Sequence, residues 1–368
     1  MRIIVLTGFL FIALNAANAQ VVRKYSNEFL NVGVGARGMA MSNAQTASVS
    51  DVYANYYNPA GLVHIPHTIQ LGIMHSEYFA GIAKYDFVSF AVPVQTRKRT
   101  IGFSFYRFGV DDIPNTLFLV QPDGSLDYSK ITSFSAADYA FALHYAQTLP
   151  VNGLSLGVNT KIIYRQVGRF ARAFGFGLDV GLQYRIKQWR FGFMARDVTG
   201  TFNAWRFNFT DEEKMALTQA GNELPQNTTE VTVPIFLLGA AYEGNVKNKF
   251  YINPEVNFAV STDGKRNVLL PAQPLSLDMS AGLELKYAPA TDIGVCVRTG
   301  VGNLQRSVDE IGKKKILVSP NIGAGLLIKI ISIDYALTNL TTLKDADGGG
   351  GLYSHVISLR VDITKKRN

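Results

Sequence analysis

Three stretches of the chain spell chemistry. Gly153-Leu154-Ser155-Leu156-Gly157 has the spacing of a nucleophile elbow, with His144 a short way upstream as the base that would activate the serine toward an acyl carbon. An elbow needs a sharp strand-to-helix turn, whereas the residues around Ser155 alternate apolar and polar as a strand does. Ser155 and His144 then share a polar face and could lie across from each other as a hydrogen-bonding pair. Gly33-x-Gly35-x-x-Gly38 spells the dinucleotide fingerprint, but that motif works only inside a βαβ unit, and the surroundings read as all-β. His64 and His67 flank Ile65-Pro66, a linker signal, with no further ligands in view. No catalytic residue, cofactor or metal site is expected, and hence no enzyme.

The elements that carry these residues have an unusual composition. The chain is 47% hydrophobic and only 17% charged, with a formal net charge of +8. Its first residues, MRIIVLTGFLFIALNAANAQ, have one basic residue, an apolar run and a small-residue ending, so residues 1–19 are expected to be a signal peptide cut before Gln20. Export makes nucleic acid an improbable partner for the positive charge and favours anionic lipid, including lipopolysaccharide, or an acidic protein. Cys296 is the single cysteine, so no internal disulfide is available. After residue 20 no uncharged apolar run is long enough for a membrane helix; in GLLIKIISIDYAL, Lys329 and Asp334 interrupt it.

Period-two alternation dominates instead. In FGFGLDVGLQYRI the apolar set is Phe174, Phe176, Leu178, Val180, Leu182, Tyr184 and Ile186, against Gly175, Gly177, Asp179, Gly181, Gln183 and Arg185. LSLDMSAGLELKY, residues 275–287, repeats the pattern at twice the usual strand length. Fourteen such segments follow from residue 68, near 68–76, 84–94, 99–109, 133–147, 153–166, 171–186, 189–198, 230–243, 248–260, 274–287, 291–301, 314–328, 330–340 and 352–364. Gaps after even-numbered strands are short; those after odd-numbered strands are generally long and polar. Strand length, even number and gap parity together specify an all-β, 14-stranded antiparallel transmembrane β-barrel of the bacterial outer membrane, with both termini periplasmic. A soluble sandwich or propeller explains the alternation but not the other features. Tyr184, Trp189 and Tyr287 fall near periplasmic strand ends, where ring girdles sit. Pro234, Pro254 and Pro320 inside strands predict bulges, and near Pro254 either plain curvature or a weakened wall.

Residues 20–67 do not alternate. Phe29-Leu30-Asn31, the run Gly33-Val34-Gly35-Ala36-Arg37-Gly38-Met39 and Asn58-Pro59-Ala60-Gly61-Leu62 make the chain resemble the PorV/PorQ family of Bacteroidota outer-membrane proteins, itself similar to the FadL-like fatty-acid transporter barrels. The resemblance implies an N-terminal plug (20–67) inside a barrel (68–368). Physical argument agrees, since fourteen strands enclose more space than their own side chains fill. Pro59 would fix a turn after Asn58, and Arg37 would pair with Asp179, Asp278 or Glu284. A mobile periplasmic tail remains the alternative. Lumenal charges such as Lys161, Arg165, Arg185, Glu255 and Lys286 would pair with one another and with the plug, or serve a selective pore.

The resemblance further implies a part in type IX secretion, in which family members carry cargo proteins bearing C-terminal signal domains away from the translocon. The cargo surface would then be the outside loops, with Leu117, Phe118 and Val120 after the third strand and Trp205, Arg206, Phe207 and Phe209 after the seventh. A loop mini-core explains these aromatics equally well. The rival function is a FadL-like channel for hydrophobic small molecules, which predicts an apolar pocket above the plug and an opening in the wall.

Overall fold

The computed structural model describes residues 27–66, 68–95, 98–121, 123–308, 312, 314–339 and 353–364; the expected signal peptide and His67 lie outside them. From residue 68 the chain forms one closed antiparallel sheet. Its fourteen strands are β1 (Thr68–Tyr78), β2 (Ala83–Gln95), β3 (Arg99–Asn115), β4 (Thr132–Thr148), β5 (Leu154–Val167), β6 (Ala171–Ile186), β7 in two pieces (Trp189–Arg196, Thr201–Phe207), β8 in three pieces (Thr228–Thr232, Ile235–Tyr242, Gly244–Val246), β9 (Phe250–Ser261), β10 (Ser276–Ala290), β11 (Ile293–Val308), β12 (Lys314–Ile328), β13 (Ile331–Asn339) and β14 (Tyr353–Thr364). Closure is made by β1, where Met74 pairs with Phe87 of β2 on one side and Ser358 of β14 on the other.

The alternation read in the sequence sorts onto two faces. Leu143, Phe174, Val297 and Ile322 stand outward at 64%, 61%, 60% and 56% exposure. Ser104, His144, Asn159, Asp179, Gln183, Glu255 and Glu284 point inward and are buried. A wall apolar outside and polar inside, with no open edge, is what hydrocarbon solvation requires of a sheet. Connections at one end are short, such as 187–188, 291–292 and 329–330; at the other lie 116–131, 208–227 and 262–275. These are called the turn end and the loop end. Thr68 and Thr364 face each other at the turn end.

Residues 27–66 lie within the barrel. The short helix α1 (Ala36–Ala40) packs on β11 to β14, and the 3-10 helix Pro59–His64 packs on β3 to β6, on opposite sides of the lumen. Between them runs α2 (Ala54–Tyr57), whose Tyr56 and Tyr57 rings meet edge-to-face at 4.8 Å. With Tyr53, Phe87 and Tyr106 they form an aromatic core, a hydrophobic cluster inside the polar shell of the wall. The glycine motif finds its explanation here. Gly35 turns at φ +74 against the Tyr53 ring, and a side chain at Gly38 would collide with the Tyr57 hydroxyl. The glycines serve close approach of backbone to ring, and α1 is followed by no βαβ unit.

Two departures concern the seventh and eighth strands. The seventh does not end near 198. It breaks at 197–200 and resumes as Thr201–Phe207, pairing again with β6 through Phe176↔Phe202 to Ala171↔Phe207. The break is a turn in which Asp197 adopts φ +55 and the Gly200 amide bonds the Asp197 carbonyl at 2.8 Å. Beside it, β8 skips residues 233–234, where Pro234 supplies no ladder donor. Pro320 pairs with Val301 one step before a register shift between Gly302 and Gln305, and lies beyond the β13 ladder, which begins at Ile322. At Pro254 the ladder with β10 is continuous; on the β8 side it lapses between Ala241↔Glu255 and Gly244↔Ile252 with the register unchanged.

Candidate functional site

The interior polar groups gather into two networks. On the β10–β14 side, Arg37 from α1 reaches the wall and its Nε donates to Glu284 Oε2 at 2.8 Å. Glu284 also accepts from Arg298 Nε at 2.7 Å, and Arg298 Nη1 donates to Asp334 Oδ1 at 2.6 Å. A second segment carboxylate, Asp51, accepts from Arg360 Nη1 at 3.2 Å. Burial alone would lower the Arg37 pKa, but Glu284 and Asp51 hold it above its ordinary value, so the guanidinium is permanently charged. Of the three carboxylates considered from the sequence, Glu284 is the partner; Asp179 belongs to the other network, and Asp278 accepts from the Met279 amide at 2.8 Å.

On the β4–β7 side the charges are wall to wall. Lys161 Nζ lies 2.8 Å from Asp179 Oδ1 and 2.8 Å from Asp197 Oδ1, all three residues being buried. The inward turn of Asp197 is what breaks β7. Asn159 continues the network, donating to Asp179 at 3.2 Å and to the Asn55 carbonyl at 3.2 Å. His144 faces Asn159 in the register, with Nδ1 2.7 Å from Asn159 Oδ1 and Nε2 2.7 Å from Ser104 Oγ. Ser155 sits opposite Thr148 and donates to the Gln183 carbonyl at 3.4 Å. The Ser155–His144 pairing expected from the sequence is therefore corrected: four residues along the strand separate them, and each is satisfied elsewhere.

Segment residues tie down this side through neutral groups. Asn58 Nδ2 donates to the carbonyls of Thr46 (2.9 Å), Leu182 (3.0 Å) and Phe193 (3.3 Å), while its Oδ1 accepts from the Ala60 amide at 3.2 Å, capping the 3-10 helix at whose first position Pro59 stands. Glu255, from β9, accepts the amides of Ala47 at 2.7 Å and Ser48 at 3.1 Å. His64, toward the turn end, is half-buried, its buried Nε2 unpartnered among the described residues. Burial, with Arg185 and Arg190 nearby, pushes its pKa down to about 3. The described residues contain no group of three or more metal-ligating side chains.

Above the segment, toward the loop end, lies a cavity of about 550 Å³. Met39, Asn43 and Tyr56 of the segment form its floor; Ile235 and Leu237 of β8 give it an apolar flank. Opposite stand Asp278, Asn303, Asn321 and Thr338. Arg196 stacks over the Tyr56 ring at 4.5 Å, and Arg266, held by Asp263 at 2.6 Å and Glu28 at 3.4 Å, folds the 262–275 connection over the opening. Two atoms of lining residues, Asn257 Oδ1 and Thr338 Oγ1, are buried without a hydrogen-bond partner among the described residues. No sequence signal singled out this cup, because its lining comes a few residues at a time from seven strands, one connection and the segment.

Of the residues expected as a loop cargo surface, Leu117, Phe118, Val120 and Phe209 lie in loop-end connections, and three are placed otherwise. Trp205, Arg206 and Phe207 are strand residues of β7, a correction whose cause is the period-two pattern persisting beyond the 197–200 break. Trp205 turns inward with Arg165 5.1 Å over its ring, and Phe207 stacks between Trp205 and Phe209 at 6.3 Å from each. Phe209 also stacks on Phe170. Leu117 and Phe118 are half-buried, whereas Val120 is 63% exposed.

No family model matches the chain, and no curated protein matches it. Solved structures do. The CymD monoaromatic hydrocarbon channel is similar at 12% identity, over 91% of this chain and 99% of its own, with a TM-score of 0.54. The Ralstonia pickettii toluene transporter TbuX matches at 13% identity over 90% and 98%, also at 0.54. The Pseudomonas putida toluene transporter TodX matches at 12% identity over 90% and 99%, at 0.53. At such identities the likeness carries the fold alone: a closed, 14-stranded antiparallel barrel.

Proposed function

We propose that this chain is an outer-membrane uptake barrel of the FadL type, in which residues 27–66 plug the lumen and the loop-end cup receives a small amphiphilic molecule. The observation that carries the reading is the cup itself: about 550 Å³ inside a closed barrel, floored by the N-terminal segment, with one apolar flank and one hydrogen-bonding flank. The structural relatives are named for hydrocarbons, toluene among them. Here one flank adds the polar side chains of Asp278, Asn303 and Gln305, surface that a bare hydrocarbon cannot use. The preferred ligand is thus an aromatic or short alkyl body with a hydroxyl or carboxyl head. In this reading the loop end faces outward, the C-terminal strand ends in the periplasm, and passage involves no bond made or broken.

The test is binding to the purified barrel in detergent, measured calorimetrically with toluene, p-cresol and octanoate. Expected is at least a tenfold preference for p-cresol or octanoate over toluene, lost on Asn257→Leu combined with Thr338→Val. Equal affinity for all three, or none, overturns the reading.

A second reading, that of a type IX secretion carrier, draws on the family resemblance and on one surface feature. Val120, Leu126 and Tyr128 are exposed together on the connection after β3, at 63%, 54% and 69%. Affinity purification from native outer membranes separates the two. Recovery of translocon or of proteins with C-terminal signal domains, abolished by V120S/L126S, favours the carrier.

A further inference from the structure

On the outer face at the loop end, two arginines stand directly opposite each other. Arg172 of β6 and Arg206 of β7 are Cα partners in the ladder, and both are exposed. Like charges placed this way repel and destabilise the strand pair. Elsewhere on the same outward rim the charges are matched: Arg107 lies 3.4 Å from Asp86, His75 2.7 Å from Asp86, and Lys84 3.7 Å from Asp111. Arg172 and Arg206 make no hydrogen bond or ion pair with any described residue, while neighbouring Arg169 is taken up by Glu213.

The pair rims a groove of about 570 Å³ whose floor is Ala171, Phe174 and Ala204. Directly toward the turn end the outward face is apolar, with Phe174 61%, Ile162 55%, Phe202 43% and Phe176 36% exposed. Two unmatched guanidinium forks above a strip of exposed rings suit one kind of occupant, an amphiphile with a phosphate head and hydrocarbon chains. The height of the pair, where the apolar band ends, puts the arginines at headgroup level.

We propose that Arg172 and Arg206 bind the phosphorylated headgroup of an outer-leaflet lipid, whose acyl chains lie along Phe174, Phe176 and Phe202. The anion bridges the two arginines and removes the repulsion that the ladder imposes. The inference rests on the outer-membrane reading with the loop end outward, and is independent of what the cup binds.

The test uses the full barrel in neutral detergent, with retained lipid counted by native mass spectrometry. The probes are bis-phosphorylated lipid A, its dephosphorylated form, phosphatidylcholine and inorganic phosphate. Wild-type protein is expected to retain lipid A at least tenfold over the dephosphorylated form. Arg172→Gln combined with Arg206→Gln should abolish that preference, and Arg107→Gln should leave it intact. Undiminished lipid A retention in the double variant overturns the proposal, as does equal retention of the dephosphorylated lipid. Competition by micromolar inorganic phosphate assigns the site to free phosphate and overturns the lipid. Both arginines are exposed, so heat-resistant migration of the variants on gels verifies folding. A wild-type chain that fails to enter any bilayer would instead sink the membrane reading.

Discussion

The two sides of the lumen hold the N-terminal segment by different physics. Toward β10–β14 the segment brings its own charges, Arg37 and Asp51, and pairs them with Glu284 and Arg360 of the wall. Toward β4–β7 the charges Lys161, Asp179 and Asp197 all belong to the wall, and the segment offers amides and carbonyls through Asn55 and Asn58. Withdrawing the segment would therefore break charge-assisted bonds on the first side and exchange neutral hydrogen bonds for water on the second. Bonds to charged groups contribute about 1.5–3 kcal/mol each, neutral ones about 1 kcal/mol. The segment is clamped on one side and merely seated on the other, so any movement that frees the lumen should swing about α1.

Lys161→Met is the sharpest way to break this contrast. It leaves two buried carboxylates facing each other beside the 197–200 turn, and loss of one member of a buried ion network costs about 3–5 kcal/mol. The expected damage is to the barrel wall, read as a lowered temperature of heat modifiability. Amide exchange in residues 36–57 should stay near wild type up to that temperature. Arg37→Met should do the reverse at a smaller cost, about 2–3 kcal/mol for its charge-assisted bonds, because Glu284 keeps Arg298. Exchange of residues 36–57 should quicken and single-channel conductance in planar bilayers should rise, with the wall as heat-resistant as before. Arg37→Lys should restore only part of the protection, since a point charge cannot reproduce the fork. If both variants loosen the wall alone, the clamp is wrong.

How much of this was legible beforehand follows from what each element depends on. The fourteen strands were, because every strand writes its own two faces, as in 171–186, where Gly175, Gly177, Asp179, Gly181 and Gln183 turn inward and are buried. The Arg37–Glu284 pair could be narrowed to three carboxylates and no further, since register across the lumen is not a local property. The continuation of β7 through Trp205 and Phe207 was missed because Asp197 and Gly200 carry turn chemistry, which reads as a strand end when the neighbouring strand is not in view. His144 and Ser155 shared a face as expected, yet a register offset of four residues kept them apart. The cup was invisible for a deeper reason: it is a property of closure, assembled from residues hundreds of positions apart.

The smallest expected effect sharpens the comparison at the turn end, where the seated side of the segment finishes. His64 is half-buried beside Arg185 and Arg190, and its pKa, pushed down to about 3, lies below the ordinary 6.5. The withdrawn segment takes up a proton as pH falls below about 6.5, while the seated segment refuses it until about pH 3. More protons bound in the released state means that seating strengthens with rising pH across that window. Seating is thus complete above about pH 6.5 and weakens progressively on acidification toward 3. Amide exchange in residues 59–66 should accelerate from pH 6.5 to pH 4.5 beyond the intrinsic chemical trend, with residues 36–40 lagging because the ionic clamp holds them. His64→Asn, neutral throughout, should flatten the pH dependence at 59–66 and leave it unchanged at 36–40. A clamp side that loosens first on acidification would mean that the ionic clamp, and not the histidine, governs release, and that the two sides of the lumen are not divided as their chemistry suggests.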